Sequence, residues 1–281
     1  MKIALMDSGS GLLAAAAAVR RLRPDAGLVL SSDPDGMPWG PRTPADLTER
    51  ALAVARHAAA HRPDALIVAC NTASVHALPT LRAELEPDLP VIGTVPAIKP
   101  AATAGGPVAI WATPATTGSP YQRGLIRSFA ADTEVAEVPC PGLADAVEAA
   151  DDAAIAAAVA AAAALTPPDV RSVVLGCTHY ELVADRIRDA LQRPADPALT
   201  LYGSAEAVAA QALRRIGAEP APAATPSREL TVLLSGRAGT LPETALAYEE
   251  GRLLAGTDAR SAAPTGAAVP APGEAAAQPT R

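Results

Sequence analysis

Aromatic side chains are nearly absent: one Phe, two Trp and four Tyr among 281 residues. So few rings argue against a stacking platform for nucleic-acid bases. Any core must be assembled from Ala, Val, Leu and Ile. Positive charge is also scarce. Lys and Arg total 23 against 30 Asp and Glu, a net charge of −7, which speaks against nucleic acid as a partner. Nearly all the cations are Arg. The only lysines, Lys2 and Lys99, lie in no setting suited to a Schiff base, so no pyridoxal phosphate is expected. Cysteine is limited to Cys70, Cys140 and Cys177, with no C-x-x-C, so a disulfide scaffold is not expected. Long apolar runs are missing too. The longest, Ala153–Leu165, would span about 20 Å as a helix, against the roughly 30 Å of a bilayer core. The opening M-K-I-A-L-M-D is too short for a signal-peptide core. These absences predict a soluble cytoplasmic protein with no membrane partner. G-S-G-L-L after the first apolar run is not G-x-G-x-x-G, so a dinucleotide site has little support.

What is present is a chain 49% hydrophobic, long enough for one large or two modest domains. Short apolar runs alternate with helical patterns. Strands are expected at Lys2–Met6, Ala26–Ser31, Ala65–Ala69, Pro90–Val95, Val108–Ala112, Glu134–Val138, Val170–Leu175 and Glu229–Ser235. Helices are expected at Leu12–Leu22, Pro44–His61, Val75–Leu85, Pro120–Ala130, Ala144–Leu165, Glu181–Leu191, Ala205–Ile216 and Leu241–Leu254. This alternation predicts an α/β fold with parallel sheets covered by helices on both faces. The segment from Ser261 onward is Ala, Pro and Gly with little to bury, and is expected to be disordered.

One segment is echoed by another. D-A-L-I-V-A-C-N-T-A-S from Asp64 and D-V-R-S-V-V-L-G-C-T-H from Asp169 each run an apolar strand into a small residue, a cysteine and a nearby Thr, followed by a helix. Each cysteine therefore stands at the carboxyl end of a strand, where ligands bind in open α/β sheets. Backbone N–H groups at such a turn favour a thiolate. The bland alternative is that both are inert strand-end residues. Two thiols from two related units suit a particular chemistry: one removes a proton from one face of a carbon while the other delivers a proton to the opposite face. Asn71, Thr72 and Thr178 can bind carboxylates where helices begin, or simply cap those helices. Asp7 can likewise be a turn residue, and His179 a histidine bonded to backbone. His57 and His61 have metal-ligand spacing but no acidic neighbour between them, so a solvated helix face is the better reading and no metal is expected. Cys140 reads as structural.

A-C-N-T-A-S at Ala69–Ser74 and G-C-T-H-Y at Gly176–Tyr180 resemble the two signatures of bacterial glutamate racemases. D-S-G at Asp7–Gly9, P-W-G at Pro38–Gly40, Val91–Ala101, Ala112–Thr116 with Tyr121, and L-L-S-G at Leu233–Gly236 are similar to further family motifs in the same order. The resemblance implies two similar lobes with the active site in the cleft between them: residues 1–97 with 205–258, and residues 98–204, followed by a disordered tail at 259–281. It implies cofactor-independent interconversion of L- and D-glutamate, supplying D-glutamate for peptidoglycan. Cys70 would then deprotonate D-glutamate and Cys177 L-glutamate, assisted by Asp7, Glu148 and His179. Substrate contacts are implied at Asp7, Ser8, Trp39, Gly40, Asn71, Thr72, Thr116, Thr178 and His179. A homodimer is compatible with this reading. Two alternatives stay open: a racemase of aspartate or another small acid, and a poorly active racemase-like binding or regulatory protein. The chain departs from the family pattern at Leu12 (usually a second glycine), Trp39 (usually Tyr), the loop Pro34–Met37, Glu181 (often Pro) and Gly203 (often Asp).

Overall fold

The computed structural model describes residues 1–192 and 199–256. The expected tail, 259–281, lies outside the described residues. Among the described residues ten strands form two sheets: β1 Lys2–Asp7, β2 Gly27–Ser32, β3 Ala65–Val68, β4 Val91–Gly93, β5 Val108–Ala112, β6 Val135–Pro139, β7 Ser172–Leu175, β8 Thr200–Tyr202, β9 Leu230–Leu234 and β10 Arg237–Gly239. The larger sheet has the order β10-β9-β2-β1-β3-β4 and the smaller β6-β5-β7-β8. All pairs are parallel except β10 with β9.

Alternation along the strands divides each sheet into two apolar faces. Ile3 and Leu5 of β1 pack with Leu13, Val19, Val208 and Ala212 on one side, while Ala4 and Met6 pack with Leu47, Val54 and Trp39 on the other. In the smaller sheet Ala109, Trp111 and Val173 face Ile155, Val159 and Ile187, whereas Val108, Ile110 and Val174 face Ile98 and Ala101. With so few aromatics, close approach of small side chains fills the space. The helix Leu12–Leu22 buries Ala14 through Ala18 consecutively. Among the described residues no helix is long and apolar enough to cross a membrane.

The helix Leu12–Leu22 and the strand Val108–Ala112 coincide with the sequence expectation. Four expected helices do not. Ala144–Leu165 is broken into Leu143–Glu148 and Asp152–Leu165. Ala150 turns to φ 51°, and the Asp151 carboxylate accepts from the N–H groups of Ala153 and Ala154 at 3.1 and 3.0 Å. A side chain that satisfies the first free N–H groups restarts the helix despite the alanine run around it. Val75–Leu85 instead begins at Asn71 and divides into Asn71–His76 and Leu78–Leu85, with Pro79 in the first turn of the second piece. Ahead of Ala184–Leu191, Thr178–Val183 is a 3₁₀ helix. Leu241–Leu254 comprises a 3₁₀ turn, Glu243–Ala247, and a helix, Glu249–Ala255. β8 and β10 have three residues each, too few for a periodic signal to predict them.

Candidate active site

Cys70 and Cys177 occupy equivalent places. Each directly precedes a helix in extended conformation, φ −141° and ψ 119° for Cys70, φ −133° and ψ 135° for Cys177. The residue before each cysteine donates its N–H to the neighbouring strand: Ala69 to Met6 O at 2.8 Å, Gly176 to Trp111 O at 2.7 Å. Cys70 is buried and Cys177 half-buried. The capping alternative for Asn71, Thr72 and Thr178 is overturned, because the cap positions belong to the cysteines and neither turn carries a side-chain cap bond. Asn71 has a different task. Its Nδ2 donates to Gly176 O at 2.8 Å, tying the end of β3 to the end of β7.

A cavity of about 590 Å³ opens between these two strand ends. It is lined by Asp7, Ser8, Trp39, Gly40, Cys70, Asn71, Thr72, Thr116, Glu148, Cys177, Thr178 and His179, all of the residues singled out from the sequence. Met37, Pro38, Pro114, Ala115 and Cys140 also line it and were not anticipated as site residues. No Lys or Arg is among the lining residues, so anionic groups of a ligand would be held by hydroxyls and backbone N–H groups. His57 is exposed, and the Pro44–Ala59 helix ends before His61. Among the described residues no three His, Cys, Asp or Glu side chains could hold a metal ion.

The two thiols have different surroundings. Cys177 Sγ lies 3.8 Å from His179 Nδ1, and His179 Nε2 lies 3.0 Å from Glu148 Oε2. That same oxygen accepts from Ser10 N–H and Ser10 O–H, both at 2.7 Å. Ser10 is a further residue with no role assigned from the sequence. Its only signal was its place within S-G-S-G after β1, and its partner stands 138 positions away. Burial alone would raise the Glu148 carboxyl; His179, by hydrogen bond and charge, together with the two Ser10 donors, outweighs this and holds it below 4.5. Burial would lower His179, but the Cys177 sulfur, Glu148 and Asp7 together hold it well above 6.5. Cys70 meets the opposite conditions. Burial, then the negative charge of Asp7, pushes its thiol well above 9.0. Asp7 itself accepts from Gly9 N–H at 3.1 Å through Oδ2. Its Oδ1 is buried and has no hydrogen-bond partner among the described residues.

Beneath the cavity wall, Trp39 Nε1 donates to Asp33 Oδ2 at 3.0 Å. Asp33 also accepts from Arg50 at 3.1 Å and from Ser235 O–H at 2.9 Å. The Trp39 ring is 1% exposed, so the departure from Tyr places an indole in the core with its N–H paired, and leaves the backbone of Gly40 at the cavity.

Gly11 sits where the two halves of the site meet. A Cβ there would lie 2.4 Å from Thr178 Oγ1 and 2.7 Å from both Asp7 Oδ2 and His179 Nδ1. The backbone of Gly11 is right-handed helical, so the clash alone forbids a side chain. Gly11→Ala is expected to leave the Leu12–Leu22 helix formed, as circular dichroism would show, while displacing His179 and lowering activity about 10²-fold, since a shift of about 1 Å at a reacting group carries that cost.

Fold and cavity together define a class, the two-lobed α/β racemase. The Asp/Glu/hydantoin racemase family model matches residues 10–212. A glutamate racemase of Pseudomonas entomophila is 36% identical over 232 residues, covering 81% of this chain and 86% of the relative. Escherichia coli glutamate racemase, solved in complex with L-glutamate and the activator UDP-MurNAc-ala, superimposes with a TM-score of 0.71 at 28% identity, covering 78% of this chain and 84% of that one. Glutamate racemase from Thermus thermophilus in complex with beta-chloro-D-alanine matches with a TM-score of 0.64 at 30% identity over 91% and 92% of the two chains. The chain belongs to the glutamate racemases of the Asp/Glu/hydantoin racemase family.

Proposed function

We propose that this protein interconverts L- and D-glutamate by a two-base mechanism and supplies D-glutamate for peptidoglycan. The observation that carries the mechanism is the pair of strand-end cysteines lining one cavity in contrasting electrostatic settings. His179 Nδ1 stands 3.8 Å from Cys177 Sγ, on the cavity side of the 3₁₀ turn. The buried Cys70, next to Asp7, is held as a thiol. Both sulfurs line one cavity, so one can take a proton from a bound carbon while the other gives one.

The resemblance to the family assigns L-glutamate to Cys177. The Cys177 thiolate takes the α-proton, and the electron pair left on the α-carbon takes the Cys70 proton on the opposite face. Cys177 ends as the thiol and Cys70 as the thiolate, the state from which D-glutamate is converted back. Glu148, held by Ser10, orients His179, and Asp7 plays the matching part beside Cys70. The hydroxyls of Ser8, Thr72, Thr116 and Thr178 and the backbone N–H groups of the two cysteine turns receive the substrate carboxylates. Trp39, packed on Asp33, supports Gly40 in that wall, and Asn71 ties the two turns together. The working units in this reading are residues 1–97 with 205–258 and residues 98–204. We assign the reaction to the cytoplasm, with a small molecule rather than nucleic acid or a membrane as the partner.

Purified protein incubated with L-glutamate, without added pyridoxal phosphate or metal, should lose optical rotation until the enantiomers are equal. Activity should survive both chelator and hydroxylamine, and the gene should rescue a D-glutamate auxotroph. Faster turnover of L-aspartate than of L-glutamate would overturn the substrate assignment. Loss of activity with hydroxylamine would overturn the mechanism.

A further inference from the structure

Two of the positions where the chain departs from the family pattern, Glu181 and Gly203, are in contact. The Glu181 carboxylate accepts from Ser204 N–H and Ser204 O–H through Oε1, both at 2.8 Å, and from Ala205 N–H through Oε2 at 3.2 Å. A Cβ at residue 203 would lie 2.3 Å from Oε2, so the carboxylate can sit here only because residue 203 is glycine. These groups stand at the point where the chain leaves the smaller sheet. Gly203 separates β8, the edge of that sheet, from the helix Ala205–Arg215, which buries Val208, Ala209 and Ala212 against the larger one. Glu181 belongs to the 3₁₀ helix Thr178–Val183, whose other end carries Thr178 and His179. The next residue, Leu182, packs against the cores of both sheets.

We propose that Glu181 is a positioning residue for the Cys177 half of the site, pinning the 3₁₀ turn that carries Thr178 and His179 to the start of the Ala205–Arg215 helix. Ser204 and Ala205 open the helix that packs on the larger sheet, so the tie sets where His179 stands relative to Asp7 and Gly11 as well as to Cys177. Cys70 is positioned by β3, and its turn meets the Cys177 turn through the Asn71–Gly176 bond rather than through Glu181. The proposal rests on the two-base reading and predicts a one-sided defect.

The test uses both enantiomers of a glutamate carrying chloride on its β-carbon. A single cysteine thiolate takes the α-proton, the freed electron pair forms the α,β double bond and chloride leaves. The resulting enamine hydrolyses to 2-oxoglutarate and ammonia. Glu181→Ala is expected to lower kcat about tenfold for the enantiomer handled by Cys177, with KM and the rate on the other enantiomer within about twofold. Glu181→Gln, which keeps one acceptor oxygen, should fall between. Gly203→Ala, which evicts the carboxylate without removing it, should reproduce the one-sided loss in the native background and add nothing in a Glu181→Ala background. Equal losses on both enantiomers would mark a purely structural helix cap and overturn the proposal; so would no loss. Cys70→Ser and Cys177→Ser run in parallel keep the two readings apart. If they eliminate from the same enantiomer, the two-base mechanism itself has failed.

Discussion

Cys70→Ser and Cys177→Ser should each lower racemisation by about 10³-fold or more, since a hydroxyl is a far weaker base at neutral pH than a thiol and the two-base reading gives each face of the α-carbon one of these two thiols. Neither change should unfold the protein. Serine is close to cysteine in size, and the backbone bonds of the residues just before the two cysteines, Ala69 to Met6 and Gly176 to Trp111, are untouched. The two variants should nevertheless differ. With the β-chloro substrate one base suffices, so Cys70→Ser should retain elimination from the L form through Cys177, and Cys177→Ser from the D form through Cys70. The particular enantiomers follow from the family resemblance, while opposite preferences follow from having two bases on two faces. Ammonia release measured for each enantiomer decides the matter. A shared preference would place both thiols on one face and end the two-base model.

Glu148→Gln is expected to cost about 10²-fold in kcat, concentrated on the Cys177 side, by removing the charge that holds the His179 imidazolium in place. Ser10 and the glutamine oxygen can still pair, so the loss reports charge more than packing. The pH dependence gives a second readout. In the native protein His179 is held well above 6.5, after burial is overcome by its contacts with Cys177 and Glu148. Without Glu148 its pKa falls, and the alkaline limb of kcat/KM should move to lower pH. Stability follows from linkage. A raised histidine contributes fully below 6.5, its ordinary value, and that contribution is lost as pH rises through the raised one. A lowered glutamate contributes above 4.5, and its share is lost as pH falls through the lowered value. The pair therefore stabilises most between about 4.5 and 6.5. The difference in Tm between native protein and Glu148→Gln should be largest there and shrink on both sides. A difference independent of pH would show that the pair is not charged.

Much of this site was legible in the sequence, and the reasons are local. A cysteine at the end of an apolar run, with a small residue before it and Asn-Thr or Thr-His after it, specifies a strand-to-helix turn through short-range geometry. It does so twice, at Cys70 and Cys177. Asp7 ends β1 for the same reason. Alternating strands and helices determined a parallel α/β fold because parallel neighbours need crossover helices. Other features were settled only by tertiary structure. An alanine run of strong helical propensity breaks at Ala150 because Asp151 supplies a cap, and Glu148 is thereby left at a helix end, facing the cavity. Asn71, legible as a cap, instead spans to Gly176 from 105 positions away. Ser10, Gly11 and Glu181 carry no periodic or motif signal for their partners, because those partners are assembled by packing between lobes. Residue types and strand ends are properties of neighbours in the chain. The charge on His179, the space at Gly11 and the tie at Glu181 are properties of neighbours in space, and they exist only once the two sheets have docked.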